Sequence, residues 1–569
     1  MSWSTSRRLL TSMGGYEHVY ERTQESLWTS SSKIARFEID PSTSSYHQDS
    51  KSYLHIMGAL QQSLPVQEAI HGDHNNESSP STQDEVNCAA PTGINILIIG
   101  AGVGGLAAAL ECHRKGHTVR VLERPTTASA EGDMSTIGAS GLRLLDNYPS
   151  MKREYEEIAV HNLWLRYRKW TGEDLGEPFP FGAGAKGAEV NKHADRPPMS
   201  TALRPLFHAM LYHQLDRFGI KVQLNTNVRE FYKDIEKRIG GVVTDTGEHF
   251  EADLVIAADG LHSKSRSLIP NSAAEAKPTG RTIFRCSFPL EIAVADPLVA
   301  ETFGLLNGQN PLMQVWLGPE THAVVLAYVD KHGMNGRLCF GVSFREDEST
   351  TRKESWNETI SSEEVLAVMN RLSGWSEAMK QLIRITPPTH IVAWPLNPRS
   401  PSSQWHSPGG HVLQLGDAAH PFLPTYGNGA TQAIEDAITI AVCLAQSYHN
   451  QTSIPTAVKV NNLLRADRVS CAQLLGFVNA ARVQKTDLEK VGNDPSTVQH
   501  KTPKWLWALD AEKYADEFYD EAAASLEVGV PRFQNTNIPN DYTPKPWTID
   551  EVEALQKAGK PIELKGDWS

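Results

Sequence analysis

The sequence predicts an α/β fold: a Rossmann-like layer of parallel strands, interrupted by an antiparallel sheet and closed by C-terminal helices. Three observations carry that prediction. The apolar run INILIIG at 94–100 opens a glycine-rich turn and is followed by the helix-like LAAALECHRKG and a second apolar run, TVRVLE, which together read as a β-α-β unit. Between residues 281 and 346 come RTIFRCSFP, PLMQVWLGP, THAVVLAYV and RLCFGVSF, short β-rich segments joined by turns rich in Gly, Pro and Asp. That texture belongs to an antiparallel sheet. At 411–417 HVLQLGD repeats the grammar of a buried strand feeding a glycine turn, so the chain returns to its first layer.

At roughly 150 residues per domain, 569 residues supply three to four domain equivalents. A hydrophobic share of 40% with 41 glycines matches an ordinary globular protein and excludes global disorder. The formal charge of −13, from 54 basic and 67 acidic residues, is scattered along the chain, which disfavours nucleic acid and anionic membrane as partners. Six cysteines form no C-x-x-C pair. Neither a disulfide framework nor a metal site is indicated, and a reducing compartment fits. The most apolar stretch, 94–110, contains Asn95 and four glycines and falls short of the roughly 20 residues a membrane helix needs. The start MSWSTSRRLLTSM lacks the apolar core of a secretory signal; its Ser and Arg leave organelle import open beside a cytoplasmic location.

Residues 1–90 are rich in Ser, Gln, Asn and His without a sustained apolar period, and read as a disordered N-terminal extension. The first nucleotide-binding part is expected over 91–280, with a helix at 204–217, a strand in IKVQLN and a hairpin ending in the buried strand DLVIAAD. Some strands of the second sheet are expected within 151–200. The antiparallel sheet follows over 281–394. The return segment spans 395–482, with a helix at 430–444 on which Ile434, Ala437, Ala441 and Leu444 share one face. Residues 483–569 hold a helix in KWLWALDAEKYADEFYDEAAASL and a Pro-rich tail.

Three motifs carry chemistry. Gly100, Gly102 and Gly105 form G-x-G-x-x-G after a strand and at the start of a helix, and Glu123 ends the next strand 23 residues after Gly100, near the expected offset of about 20. The glycines let the backbone approach a pyrophosphate at a helix N-terminus, while the Glu123 carboxylate accepts from ribose hydroxyls and repels a 2′-phosphate. The ligand is therefore FAD or NAD rather than NADP. The second motif is D-G-x-x-S-x-x-R, from Asp259 to Arg266, and the third is Gly416-Asp417-Ala418-Ala419-His420-Pro421, followed by Gly427-Asn428-Gly429-Ala430.

In this order the motifs resemble those of the single-component FAD-dependent aromatic hydroxylases, and within them the fungal salicylate-hydroxylase-like monooxygenases, over roughly residues 92–482. The resemblance implies a Rossmann-like FAD-binding domain interrupted by an antiparallel substrate sheet, of the para-hydroxybenzoate-hydroxylase type. It implies that Asp417 binds the ribityl hydroxyls of FAD, that the backbone N–H of Ala430 faces the flavin pyrimidine, that Asp259 and Arg266 serve FAD and the nicotinamide cofactor, and that Arg204 lies near the FAD pyrophosphate. Gly138 and Arg143 fall in a segment usually written with Pro-Asn where this chain has Ala139-Ser140, and Asn428 replaces a frequent Gln. His420 reads as part of a structural turn. Trp316 to His322 is similar to the family's W-x-G-P-x-x-H hairpin, and Phe284-Arg285 to a Tyr-Arg pair beside the substrate.

The implied function is FAD-dependent monooxygenation: NAD(P)H reduces the flavin, O₂ adds at its C4a carbon, and the distal oxygen passes to a phenolic or other small aromatic ring. Arg285 and Tyr328 are the candidate catalytic residues, Arg285 because a positive charge favours the phenolate; an edge-strand charge is the other reading of Arg285. Two alternatives stay open, an epoxidase or dearomatising monooxygenase of secondary metabolism and a non-catalytic flavin-binding interaction protein.

Overall fold

An apolar run such as Ile96-Leu97-Ile98-Ile99, buried on both faces, suits the middle of a parallel sheet, and there β1 (Asn95–Ile99) lies. The computed structural model describes residues 86–127, 132–182, 197–270, 276, 278–347, 350, 352, 355, 358–424, 427–484, 498–499 and 502–568, all in the unit Val66–Ser569. The expected N-terminal extension lies, for residues 1–85, outside the described residues. Its last five residues already belong to the fold: Val86 packs against the core, and the Ala89 N–H donates to the Arg114 carbonyl at 2.8 Å.

After β1 come α1 (Val103–Arg114), β2 (Thr118–Leu122), β3 (Met134–Gly138), β4 (Trp164–Lys169), β5 (Met199–Leu203) and α2 (Arg204–Arg217). The hairpin region holds β6 (Val228–Asp234), β7 (Ile239–Thr244) and β8 (His249–Ala252), then the buried β9 (Leu254–Ala257). The antiparallel stretch is β10 (Arg281–Pro289), β11 (Leu312–Gly318), β12 (Thr321–Tyr328), β13 (Arg337–Arg345) and β14 (Ile391–Pro395). Then come β15 (Val412–Gln414), α3 (Gly429–His449), α4 (Ile454–Gln484) and α5 (Ala511–Ala524), before a last helix at Ile549–Lys557.

The parallel sheet has the order β15-β9-β1-β2, with the two-residue strand Val222–Gln223 at its edge. The strand expected in IKVQLN thus shrinks to one edge pairing. On one face of this sheet α1 and α3 bury Leu106, Ala107, Leu110, Ala437, Ala441 and Leu444 together. Each buried Leu contributes about 2 kcal/mol, and small residues let the helices approach: a methyl on Gly104 would stand 2.7 Å from Leu415 and 3.1 Å from Ala433.

The second sheet has eight strands, with β14-β10-β13-β12-β11-β4 at its centre. Its period of two divides the sequence cleanly. Phe284, Cys286, Phe288, Ala323, Val325, Ala327, Phe340 and Val342 form one core with the flanking short helices. Their neighbours Ile283, Arg285, Met313, Val315, His322 and Val324 line a cavity on the other face. The pair Phe284-Arg285 is thereby split, one ring into the core and one charge into the cavity.

Two departures from expectation lie in the C-terminal helices. The segment expected as one C-terminal helix is two, Lys504–Trp507 and α5, because the Asp510 side chain accepts from the Lys513 N–H at 3.1 Å and starts a new helix there. The 31-residue α4 is absent from the sequence reading. Its buried face carries Asn461, Arg465, Arg468 and Gln473 among the apolar residues, which breaks the stripe by which an amphipathic helix is recognised. Among the described residues no helix is long and apolar enough to cross a membrane.

Candidate functional site

A cavity of about 1420 Å³ is lined by the residues that follow the carboxyl ends of β1, β2, β9 and β15 and by one face of the eight-stranded sheet. Open α/β sheets bind ligands just beyond the carboxyl ends of their strands. The first turn there is the glycine loop, and the three glycines of its motif differ in what surrounds them. Gly100 has φ +102°, and a Cβ on it would stand 2.4 Å from the Ala258 carbonyl oxygen. A Cβ on Gly105 would stand 1.9 Å from the Gly100 carbonyl oxygen, whereas one on Gly102 would meet nothing within 4 Å. Gly100 and Gly105 are therefore required by packing, and Gly102 keeps space open in front of the α1 N-terminus.

The Glu123 carboxylate accepts from the Ala101 N–H and, at 2.9 Å, from the Arg124 N–H, so it braces the loop it borders. Behind the loop, His208 on α2 bonds the Ala101 carbonyl through Nε2 at 2.7 Å. Burial holds the His208 pKa below the usual histidine range, which keeps it a neutral donor.

Asp259 and Asp417 end the inner strands. Asp259 Oδ1 is buried with no hydrogen-bond partner among the described residues. Burial pushes its carboxyl up to about 6 against the opposing hydrogen bonds from Ser263 and Lys264. The sign follows from linkage: a carboxyl raised from 3.8 to about 6 in the folded protein destabilises it as pH rises through that window. Asp259→Asn is expected to stabilise the flavin-free protein by on the order of 2–3 kcal/mol at pH 7 and by nothing at pH 3, as urea unfolding at the two pH values will show. Equal gains at both would place the effect elsewhere.

Asp417 exposes surface area, yet that area faces the cavity, and its carboxyl is raised above the usual range by burial, with His420, Arg204 and Arg399 opposing. The deep position decides its chemistry, because a filled cavity removes the remaining water. Arg204 opens α2, lines the cavity, and donates its backbone N–H to the Asp133 carbonyl at 2.8 Å. Ala430 lies in the first turn of α3, whose preceding Asn428 makes no side-chain cap bond, and Gly138 donates its N–H to Thr431 Oγ1 at 2.8 Å.

Of the residues singled out from sequence, Gly100, Gly102, Glu123, Gly138, Arg204, Asp259, Arg285, Asp417 and Ala430 all line this one cavity. Gly105 stands just behind it, against Gly100. Tyr328 is not brought to it. It shares the outward parity of His322 and Val324 but sits at the end of β12, buried in an apolar cluster with Leu326 and Cys339, where burial pushes its phenol far above the ordinary range. Arg285 reaches the cavity, but as half of an ion pair. Its Nε donates to Asp133 Oδ2 at 2.8 Å and its second terminal nitrogen to Oδ1.

Asp133 escaped the sequence reading because its partner lies 152 residues away. A buried charge cluster beneath the Asp417 turn escaped it too. Asp436 accepts from His420 at 2.6 Å, Arg465 at 2.8 Å and the Gly416 N–H at 3.2 Å. Glu435 pairs with Arg465 at 2.6 Å and Arg468 at 2.8 Å. Arg468 also donates to the carbonyls of Trp505, Leu506 and Asn537, tying the C-terminal segment, whose Leu506 and Trp507 line the cavity, to the turn. The signal was present: Glu435-Asp436 interrupts an apolar helical face, and Arg465 and Arg468 share a helix face at i, i+3.

The donor set fits FAD. Open space at Gly102 before a helix N-terminus suits a pyrophosphate, the Glu123 and Asp417 carboxylates suit ribose and ribityl hydroxyls, and Asp259 Oδ1 awaits a partner. Residues 93–454 match the FAD binding domain family. The FAD-dependent monooxygenase fsr3 of Gibberella fujikuroi is 39% identical over 490 residues, covering 84% of this chain and 90% of that protein. The FAD-dependent monooxygenase AacuC of Aspergillus aculeatus is 36% identical over 511 residues, covering 88% and 98%. Among solved structures, native FqzB matches with a TM-score of 0.67 at 26% identity, covering 80% of this chain and 98% of that one. Salicylate hydroxylase in its substrate complex shares the fold, with a TM-score of 0.57 at 20% identity, covering 74% and 97%. With the glycine loop, the two carboxylates and the antiparallel sheet on one cavity, the chain belongs to the FAD-dependent monooxygenases that carry the FAD binding domain, whose fungal members include the relatives above.

Proposed function

We propose that the enzyme uses NAD(P)H and O₂ to hydroxylate a phenolic or other small aromatic molecule. The observation that carries this reading is the single cavity in which the FAD-binding turns and an apolar sheet face meet. FAD, reduced by NAD(P)H, supplies the electrons that activate O₂; the chain supplies binding, orientation and electrostatics. In this reading Gly102 and the α1 N-terminus hold the pyrophosphate, with Arg204 near it, and Glu123 and Asp417 hold the ribose and ribityl hydroxyls. Asp259, Gly138 and Ala430 would border the flavin, and the backbone N–H of Ala430 with the positive end of α3 would stabilise the negative charge that FAD gains when reduced. Arg285 faces the aromatic substrate, across a chamber walled by Ile283, Val315, Val324 and Trp394. The FAD-binding parts then span 91–280 and 395–482 and the substrate sheet 281–394.

The test is NADH and NADPH consumption by purified FAD-loaded enzyme against a panel of phenols, with product masses. A phenol that stimulates consumption and gains one oxygen atom supports the reading. Stimulation by no aromatic compound, in protein that carries FAD, overturns it, and oxygen found across an alkene carbon pair identifies an epoxidase instead.

A further inference from the structure

The cavity contains a charge pair on its sheet face, Arg285 with Asp133. Arg285 stands in the middle of β10, between Val392 and Gly341 of the neighbouring strands. Two of its nitrogens are committed to the two oxygens of Asp133, and the two side chains are 16% and 5% exposed. Asp133 is held independently of that pairing, because its carbonyl accepts the Arg204 N–H where α2 begins. The cavity these side chains line is walled on the sheet side by Leu165, Ile283, Met313, Val315 and Trp394, with His322 as its polar member there. The Arg204 charge acts on Asp417 and His208, in the cofactor half.

An aromatic ring entering this chamber meets a positive group already neutralised by a fixed carboxylate. A ring that carries its own carboxylate must lose its hydration there and faces the Asp133 oxygens as well as the guanidinium. A neutral phenol loses little on entry and still finds polar atoms to bond. We propose that Asp133 is a specificity-determining residue: by cancelling the Arg285 charge it excludes carboxylate-bearing aromatics and reserves the site for uncharged phenolic rings. The proposal deepens the hydroxylase reading, rests on it for the nature of the ligand, and makes Asp133 a positioning residue that acts through Arg285.

The test needs binding, not turnover. FAD-loaded protein is titrated with 2-naphthol, benzamide and benzoate, followed by the change in flavin absorbance, with bound FAD measured for each variant. Wild type is expected to bind 2-naphthol and benzamide at least tenfold more tightly than benzoate. In Asp133→Asn the guanidinium loses this carboxylate, and benzoate affinity should rise about tenfold or more, as for a newly formed charge-assisted pair. Asp133→Glu should restore the exclusion, and Asp133→Asn combined with Arg285→Gln should lose the gain, which a merely structural role for Asp133 would not do. Wild type binding benzoate as tightly as benzamide overturns the proposal whether or not the variants fold. So does an FAD-loaded Asp133→Asn protein with unchanged benzoate affinity. If the phenols bind as expected but none is oxygenated, the hydroxylase reading fails and the charge rule survives.

Discussion

Arg465→Met is expected to lower stability by about 3–5 kcal/mol, the cost of removing one partner from a buried ion cluster. Arg465 is 1% exposed and bonds Glu435, Asp436 and Gln432 at once. Methionine fills much of the volume but leaves two adjacent buried carboxylates sharing Arg468 and His420. The pH dependence identifies the cause. Burial raises the Asp436 carboxyl, but His420 and Arg465 overcome it and hold the group down at about 2. A depressed carboxyl stabilises the fold above its unfolded value of about 3.9, and that stability is lost as pH falls towards 2. With Arg465 gone, the acid limb of unfolding should move to higher pH as well as the urea midpoint falling. A loss below 1 kcal/mol with an unmoved acid limb would show that Arg468 and His420 suffice. The same variant should retain FAD less well, because Asp436 also holds the Gly416 N–H and His420 at either end of the Asp417 turn.

Gly105→Ala and Gly102→Ala are expected to fail in opposite ways, although both alter the same loop. The added methyl at 105 meets the Gly100 carbonyl oxygen at 1.9 Å, and neither backbone can yield without moving β1 or α1. A loss of about 3 kcal/mol or more in the flavin-free protein follows from such overpacking. Gly102 has φ −70° and ψ 179° at the N-cap of α1, a conformation alanine adopts freely, with open space around it. Gly102→Ala should therefore leave the flavin-free melting temperature within about 1 °C, since an unstrained surface-like change costs under about 0.5 kcal/mol. Its FAD affinity should fall at least tenfold, because the methyl would occupy the open space proposed for the pyrophosphate. Urea unfolding of the stripped proteins and FAD titration separate the two. A Gly102→Ala protein with wild-type affinity would remove the pyrophosphate from this turn.

The elements that proved legible share one physical property: their signal is local. The period of two in RTIFRCSFP or THAVVLAYV records which side chains a sheet must bury, and both segments are strands over nearly those residues. The glycine loop was legible because a strand, a tight turn and a helix start within a dozen residues leave few residue types permitted. The helix at 204–217 likewise announced itself, opening with Pro205 at a position that needs no N–H donor. By the same logic α4 was lost, since buried asparagines and arginines hide its apolar stripe.

The sequence by itself determined the fold class, the order of the three motifs and the chemistry their residue types suit. Only the tertiary structure decided the charges. It set Asp133 against Arg285, so that a cation proposed to draw a phenolate is half of a neutral pair. It carried Tyr328 past the cavity into an apolar core, and it gathered Glu435, Asp436, Arg465 and Arg468 beneath the Asp417 turn. The physical reason is one of range. Backbone preference and hydrophobic period act over a few residues and are written in order along the chain, whereas an electrostatic partner is chosen by distance in space, which packing alone settles.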